Sequence, residues 1–195
     1  MSSSDYQWLM GKGGDAALFD RHLFACCLAL VAAESRPLTV SLGLSPHALR
    51  CLLERYFPHA AGLAADLAAD GDEPLAPEEP DLRAYLQEHG SRGAVEETWL
   101  AHIIARRALE SNHLWQDLGL VGRADLSVLM ARHFAPLATA NWMDMKWKKF
   151  FYRELCKRDG LVACKAPVCD ICEDFLECFG GEQGQPLTAL AGLRP

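Results

Sequence analysis

The sequence predicts an all-α fold, a single helical domain with a C-terminal cysteine-rich metal-binding loop. Two observations carry that prediction. Apolar residues recur three and four positions apart through most of the chain, and there is no long run that alternates residue by residue as a half-buried strand would. Five of the eight cysteines, Cys156, Cys164, Cys169, Cys172 and Cys178, fall in one short stretch near the C-terminus. A length of 195 residues suits one domain of roughly 100–200 residues. A composition of 50% hydrophobic and 23% charged residues is that of an ordinary globular chain. The expected organisation is a flexible leader at 1–14, a helical domain at 15–182 with the metal loop at 156–180, and a tail at 183–195.

Residues 1–14 are polar and glycine-containing, with Trp8, Leu9 and Met10 able to dock. From Asp15 to about Ser35, Leu18, His22, Cys26 and Leu30 fall four apart with Phe19, Leu23 and Cys27 beside them, a broad apolar helical face. Cys26 and Cys27 read as core, because adjacent helical residues point about 100° apart, a poor geometry for joint chelation. Leu38, Val40 and Leu42 alternate with polar or small residues, the pattern of a short extended connector. Ser45 caps the next helix, Pro46 suits its first turn, Leu49, Leu52, Leu53, Tyr56 and Phe57 form its face, and Pro58 stops it. Cys51 in that helix reads as packing. An alanine-rich piece follows, and then Asp70–Pro80, whose prolines and carboxylates read as an exposed acidic loop.

Asp81–His89 reads as a short helix and Gly90–Gly93 as a break. Val95, Trp99, Leu100, Ile103, Ile104 and Leu109 then mark a longer helix, on which His102 is a satisfied or solvent-edge residue rather than a ligand. Ser111–Leu120 is turn-rich. Asp125–Phe134 is helical until Pro136, with Leu126, Leu129, Met130 and Phe134 as its face. From Leu137 to Lys157 one helix leads into the cysteines, with Met143, Trp147, Phe151 and Leu155 stacked four apart. Beside that stripe Lys146, Lys149, Arg153 and Lys157 form a cationic ridge. It reads as a solvated face or, more sharply, as a guide for an anion or an acidic partner.

The formal net charge of -7 argues against general nucleic-acid binding, which calls for a basic excess or stripe. The most apolar run, Leu23–Ala33, is shorter than the roughly 20 residues a membrane span needs, so it reads as a buried helix and no membrane is expected as a partner. The first residues lack the cationic flank, apolar core and cleavage site of a secretory signal, so a cytoplasmic location is expected. Thiols stay reduced there, and clustered cysteines favour metal over disulfides. No dinucleotide or phosphate-loop glycine motif and no internal repeat is visible.

The array Cys164-Lys-Ala-Pro-Val-Cys169-Asp-Ile-Cys172-Glu-Asp-Phe-Leu-Glu-Cys178 has the spacing C-x4-C-x2-C-x5-C. Thiolates prefer soft metals and iron–sulfur clusters to hard cations. Pro167 puts the first two cysteines on a loop, and Gly160 and Gly180-Gly181 punctuate the segment at both ends. A four-thiolate zinc site remains open, although it usually presents two paired C-x2-C knuckles and this chain has one, Cys169–Cys172. A dithiol redox pair lacks its strand-to-helix context. A dimetal carboxylate site would need a second E-x-x-H beside Glu110-x2-His113, and there is none. An iron–sulfur cluster held by Cys164, Cys169, Cys172 and Cys178 fits best. Cys156 is a fifth candidate ligand or a core residue, and His113 and His133 are candidate outer groups only.

The array, the preceding Met145-Lys-Trp-Lys-Lys-Phe-Phe-Tyr-Arg-Glu-Leu-Cys156, the following Phe179-Gly180 and the upstream Asn112-His-Leu-Trp-Gln-Asp-Leu-Gly-Leu120 together resemble the NifQ family of nitrogen-fixation proteins, over about residues 18–182. That resemblance implies a carrier: an iron–sulfur cluster that takes up molybdenum as a Mo–Fe–S species and donates it for assembly of the iron–molybdenum cofactor of nitrogenase. It implies molybdate or a Mo–S species as cargo and the nitrogenase cofactor-assembly proteins, scaffold and reductase component, as partners. No residue need act as acid, base or nucleophile, so a non-enzyme is expected. The residues by themselves give a thiolate-held cluster; molybdenum comes from the resemblance alone. The alternative function is a helical interaction protein with a structural four-cysteine zinc site. For delivery the loop is expected to be accessible, with Asp170, Glu173, Asp174 and Glu177 against Lys165 keeping it solvated and readable by a basic acceptor.

Overall fold

The computed structural model describes residues 3–11, 18–64, 71–161 and 169–187, and among these every regular element is a helix. Helix α2, Leu18–Val31, is the one the others surround: every residue from Asp20 to Val31 is buried, as in a helix enclosed on all sides. Each of its charged and imidazole side chains therefore takes a partner. Asp20 accepts from Arg132 Nε at 2.7 Å and pairs with His133 Nε2 at 2.9 Å, the Tyr6 hydroxyl meets His22 Nδ1 at 2.8 Å, and Arg21 donates to the Met10 carbonyl.

Helix α1, Ser3–Met10, stands where a loose leader was expected. It packs on α2 through buried Tyr6 and Leu9, with Met10 partly buried against the core. Helix α3, Leu38–Leu42, replaces the expected extended connector. Five alternating residues fit either period; the Ser41 N–H donates to the Pro37 carbonyl at 3.0 Å, closing a helical turn, which Gly43 ends at a φ of 67°. Helix α4, Pro46–Tyr56, forms as its sequence dictates: Ser45 Oγ accepts from the Ala48 N–H at 3.2 Å, Pro46 sits in the first turn, and a 3-10 turn, Pro58–Ala64, follows.

The acidic stretch is not wholly exposed. Gly71 is buried, and Glu79, which opens α5 (Glu79–Glu88), is fully buried. Glu79 Oε1 accepts from Arg106 Nε at 2.9 Å and from Arg83 at 2.8 Å, while Oε2 accepts from the Leu75 N–H at 2.9 Å. Arg106 belongs to α6, Val95–Ala108, and is itself buried. It also donates to the carbonyls of Gly71 at 3.0 Å and Glu73 at 2.7 Å, and to that of Val40, so one guanidinium fastens α3 and the acidic segment to α6. Only a glycine fits at position 71, where a Cβ would stand 1.9 Å from the Thr39 carbonyl oxygen.

The second half runs through α7 (Leu114–Asp117), α8 (Arg123–His133), α9 (Ala135–Ala140) and α10 (Trp147–Arg158). The single helix expected from Leu137 to Lys157 is thus two; α8 ends at His133, before Pro136 as expected, and Pro136 then sits in the first turn of α9. The Asn141 side chain makes the break: it accepts from the Met145 N–H and donates to the Met145 carbonyl, both at 2.9 Å, while Asp144 adopts a φ of 56°. Met143 leaves the predicted stripe for that turn and is exposed, whereas Trp147 and Phe151 are buried and Leu155 packs partly buried beside them. Each fully buried Leu or Phe of this core stabilises by about 1.5–3 kcal/mol. Helix α10 packs on α5, and the short α11, Phe175–Phe179, follows the cysteine turn. No helix among the described residues is long and apolar enough to cross a membrane.

Candidate metal centre

Three segments distant in sequence meet at the start of α10. Once the Asn141 turn is closed, Lys146 caps α10 with its N–H directed at the carbonyl of Cys178, 2.8 Å away. Helix α11 is thereby held against α10, with Cys178 and Phe179 partly buried on the core and Phe175 stacked on Phe179 at 4.7 Å between ring centroids. The third segment is the N-terminus of α7, where the His113 N–H donates to Gln116 Oε1 at 3.2 Å. Between the three opens a cleft of about 300 Å³ lined by Asn112, His113, Lys146, Lys148, Lys149, Glu177 and Glu182 with Leu114.

Of the predicted ligands, Cys169 starts a 3-10 turn, Cys169–Ile171, and accepts through its carbonyl from the Cys172 N–H at 3.0 Å. Cys169, Cys172 and Cys178 are half-buried and unbridged. Cys164 and Pro167 lie outside the described residues. Cys156 is half-buried in the last turn of α10, its carbonyl accepting from the Leu161 N–H at 2.8 Å. Among the described residues no three His, Cys, Asp or Glu side chains stand close enough together to hold one metal ion.

The remaining cysteines differ in kind. Cys26 and Cys27 are buried in α2, and burial pushes the Cys26 thiol well above its usual range and that of Cys27 up to about 12. Neither offers a thiolate near neutral pH, and the thiolate is the form that binds metal. Cys51 is half-buried on α4 with its sulfur 3.6 Å from His47 Nε2.

The cationic ridge divides. Lys146 Nζ lies 3.4 Å from the Leu176 carbonyl and Lys149 Nζ 3.7 Å from Glu177, so these two face the cysteine segment, whereas Arg153 and Lys157 both turn to Glu154 at 3.5 and 2.6 Å. Lys148, not part of the predicted ridge, lines the cleft and bonds Asp117 at 2.6 Å and the Glu110 carbonyl at 2.5 Å. His113 lies in the cleft wall. His133 does not: it is fully buried against Asp20, remote in role from any ligand set. His102 is satisfied, as its lone position on a helix foretold, by the Gly43 carbonyl at 3.0 Å and Asp72 at 2.9 Å. Of the loop carboxylates, Glu173 and Glu177 are exposed and Asp174 half-buried; the Asp170 side chain lies outside what is described. Glu182 was missed in the sequence because no spacing or motif marks it.

The fold and this site define a helical protein that presents unbridged, half-buried cysteines on a segment beside a lysine-lined cleft. The NifQ family model matches residues 23–180. A NifQ homolog from Sinorhizobium fredii is 40% identical over 181 residues, spanning 89% of this chain and 79% of that protein. NifQ of Azotobacter vinelandii is 39% identical over 153 residues, covering 72% and 78%, and NifQ of Rhodobacter capsulatus is 41% identical over 150 residues, covering 76% and 81%. No solved structure matches. The chain belongs to the NifQ family of nitrogen-fixation proteins.

Proposed function

We propose that the chain is a cytoplasmic iron–sulfur molybdenum carrier, not an enzyme, that supplies molybdenum for the iron–molybdenum cofactor of nitrogenase. Cys164, Cys169, Cys172 and Cys178 would hold the cluster, with Cys156 as a neighbouring thiol. The observation that carries the reading is that the segments bearing the family resemblance, Asn112–Leu120, Met145–Cys156 and the cysteine segment through Cys178, wall one cleft. What supports the reading is the chemistry of the donors: half-exposed unbridged thiols are the soft ligands such a group takes, and Lys146, joined to the Cys178 carbonyl, brings a cation near the last of them. When bound, the cluster supplies sulfide and iron to which a reduced molybdenum can attach.

The protein's own groups do the placing. Lys146 fixes α11 through its backbone, Lys148 is anchored by Asp117, and Lys149, whose contact to exposed Glu177 among the described residues is long at 3.7 Å, would meet an anion. The structural-zinc alternative draws less support. A four-thiolate zinc site usually presents two paired C-x2-C knuckles, and this chain has one, Cys169–Cys172. The exposed Glu173 and Glu177 give cofactor-assembly partners, scaffold and reductase component, an acidic surface to read.

Delivery tests the proposal. Protein loaded without oxygen with iron, sulfide and molybdate is added to a nitrogenase cofactor-assembly system that has no other molybdenum. Cofactor should form with the native chain and fail to form with Cys169→Ser. Molybdenum that stays on the protein throughout would contradict the carrier role.

A further inference from the structure

One guanidinium closes a ring around the last cysteine of the array. Arg123, the first residue of α8, donates through Nη2 to Asp144 Oδ1 at 2.6 Å and to the carbonyls of Asp144 at 3.1 Å and Met145 at 3.3 Å. Its Nη1 meets Glu182 Oε1 at 2.8 Å. Lys146, the next residue after that turn, donates its N–H to the Cys178 carbonyl at 2.8 Å, and the chain then runs from Cys178 through Gly180-Gly181 back to Glu182. Cys178 is thereby fixed from two directions, by the turn before α10 and by Glu182 beyond it.

Local packing tightens the ring. The Gly180 N–H donates to the Leu176 carbonyl at 2.9 Å, and a Cβ at position 180 would stand 2.4 Å from that oxygen, so only glycine lets the chain turn there toward Glu182. Past Glu182, the Gln185 carbonyl accepts from Gln116 Nε2 at 2.8 Å. Cys178 itself packs partly buried against the core. Cys169 and Cys172 are instead joined within their own turn, the Cys172 N–H donating to the Cys169 carbonyl at 3.0 Å.

The Glu182 side chain is 3% exposed, and its Oε2 is buried with no hydrogen-bond partner among the described residues. Such an oxygen lowers stability, and its retention points to a carboxylate kept for where it holds the chain. Arginine suits the other side of the pair, because its planar fork serves Glu182 and Asp144 at once, which a single ammonium does not. We propose that Arg123 and Glu182 are positioning residues for Cys178, setting where its thiol stands before any metal arrives. The inference rests on the carrier reading and deepens it: Cys178 is the fixed end of the array, and neither Arg123 nor Glu182 touches the metal. Partners behind a ligand commonly set its orientation and so its hold on the group it binds.

The test uses the full chain as native protein, Arg123→Lys, Glu182→Gln and, as a control elsewhere in the fold, Glu96→Gln, whose carboxylate pairs with Arg55 and Tyr56 at 2.8 Å. Alkylation rates at each cysteine and the thermal midpoint are read on the metal-free chain. Iron release to a chelator is read after reconstitution without oxygen with ferrous iron and sulfide. Arg123→Lys and Glu182→Gln should each raise the Cys178 alkylation rate about tenfold or more relative to Cys51, and should speed iron release, since they weaken charge-assisted bonds. Glu96→Gln should lower the thermal midpoint without that selective change. An unchanged Cys178 rate in both variants overturns the inference. Equal acceleration at Cys178 and Cys51, shared by Glu96→Gln, overturns it too, by making the pair merely structural. So does faster alkylation with unchanged iron release, which would separate the position of Cys178 from metal holding. If Glu182→Gln does not fold, Arg123→Lys decides alone, since it keeps the cation. A native chain that takes up no iron overturns the carrier reading, while the alkylation rates still decide whether the pair positions Cys178.

Discussion

The N–H of Lys146 donates to the carbonyl of Cys178 at 2.8 Å, which joins the N-cap of α10 to the last cysteine of the array across more than thirty positions of sequence. Lys146 has a φ of -54°, which proline also adopts, so Lys146→Pro removes the donor without straining that angle. Relative to Lys146→Ala, it should weaken the docking of α11 by about 1 kcal/mol. Hydrogen exchange at Glu177–Gly180 should accelerate accordingly; equal exchange in the two variants would show that this bond does not hold the segment.

The array and the core cysteines should separate cleanly. Ser at Cys164, Cys169, Cys172 or Cys178 is expected to abolish the visible absorption of reconstituted protein and lower bound iron, whereas Cys51→Ser and Cys26→Ala should retain both. Alkylation at pH 8 should modify Cys169 and Cys172 well before Cys26 and Cys27, whose thiols burial holds protonated. Iron that survives Cys169→Ser but not Cys51→Ser would place the site on the wrong thiols.

The array was legible in the sequence as a motif, because its cysteines are close together and their spacing is local. So were α4, with Ser45, Pro46 and Pro58 in line, and the core role of Cys26 and Cys27. What the sequence hid was non-local. The burial of Glu79 depends on Arg106, 27 positions away. The break between α9 and α10 depends on an Asn141 side chain that closes on Met145, which periodicity reads through because the apolar stripe continues on either side. The pairing of Glu182 with Arg123 likewise depends on residues far apart in the sequence.

Glu79→Ala leaves Arg106 buried without its carboxylate and should cost about 3–5 kcal/mol of stability, measured by denaturant unfolding. Asp81→Ala, exposed in the same first turn, should change stability by less than about 0.5 kcal/mol. A small effect at Glu79 would mean that the acidic segment is not fastened as described.

Acid should destabilise the fold in two stages. Burial holds His22, His102 and His133 below their ordinary value of 6.5, more than the neighbouring Asp side chains raise them. The unfolded chain then binds more protons than the folded one, so stability falls as pH drops from about 6.5 toward the lower folded values. Asp20, despite its burial, is held below the usual carboxylate range by hydrogen bonds from Arg132 and His133, so a second loss follows as pH falls below about 4 toward its folded value. Thermal midpoints between pH 7 and pH 3 should show both stages, and His133→Gln should diminish the first. A midpoint flat from pH 7 to pH 5 would contradict the histidine assignments.

The central claim, that the cysteine segment holds a molybdenum-bearing iron–sulfur cluster, is tested most directly by the metal and sulfide content of the native chain purified without oxygen, read together with X-ray absorption. The account predicts iron and acid-labile sulfide in the protein, and molybdenum with sulfur and iron neighbours. Stoichiometric zinc on four sulfurs, with no sulfide and no molybdenum after iron, sulfide and molybdate have been supplied, would contradict it.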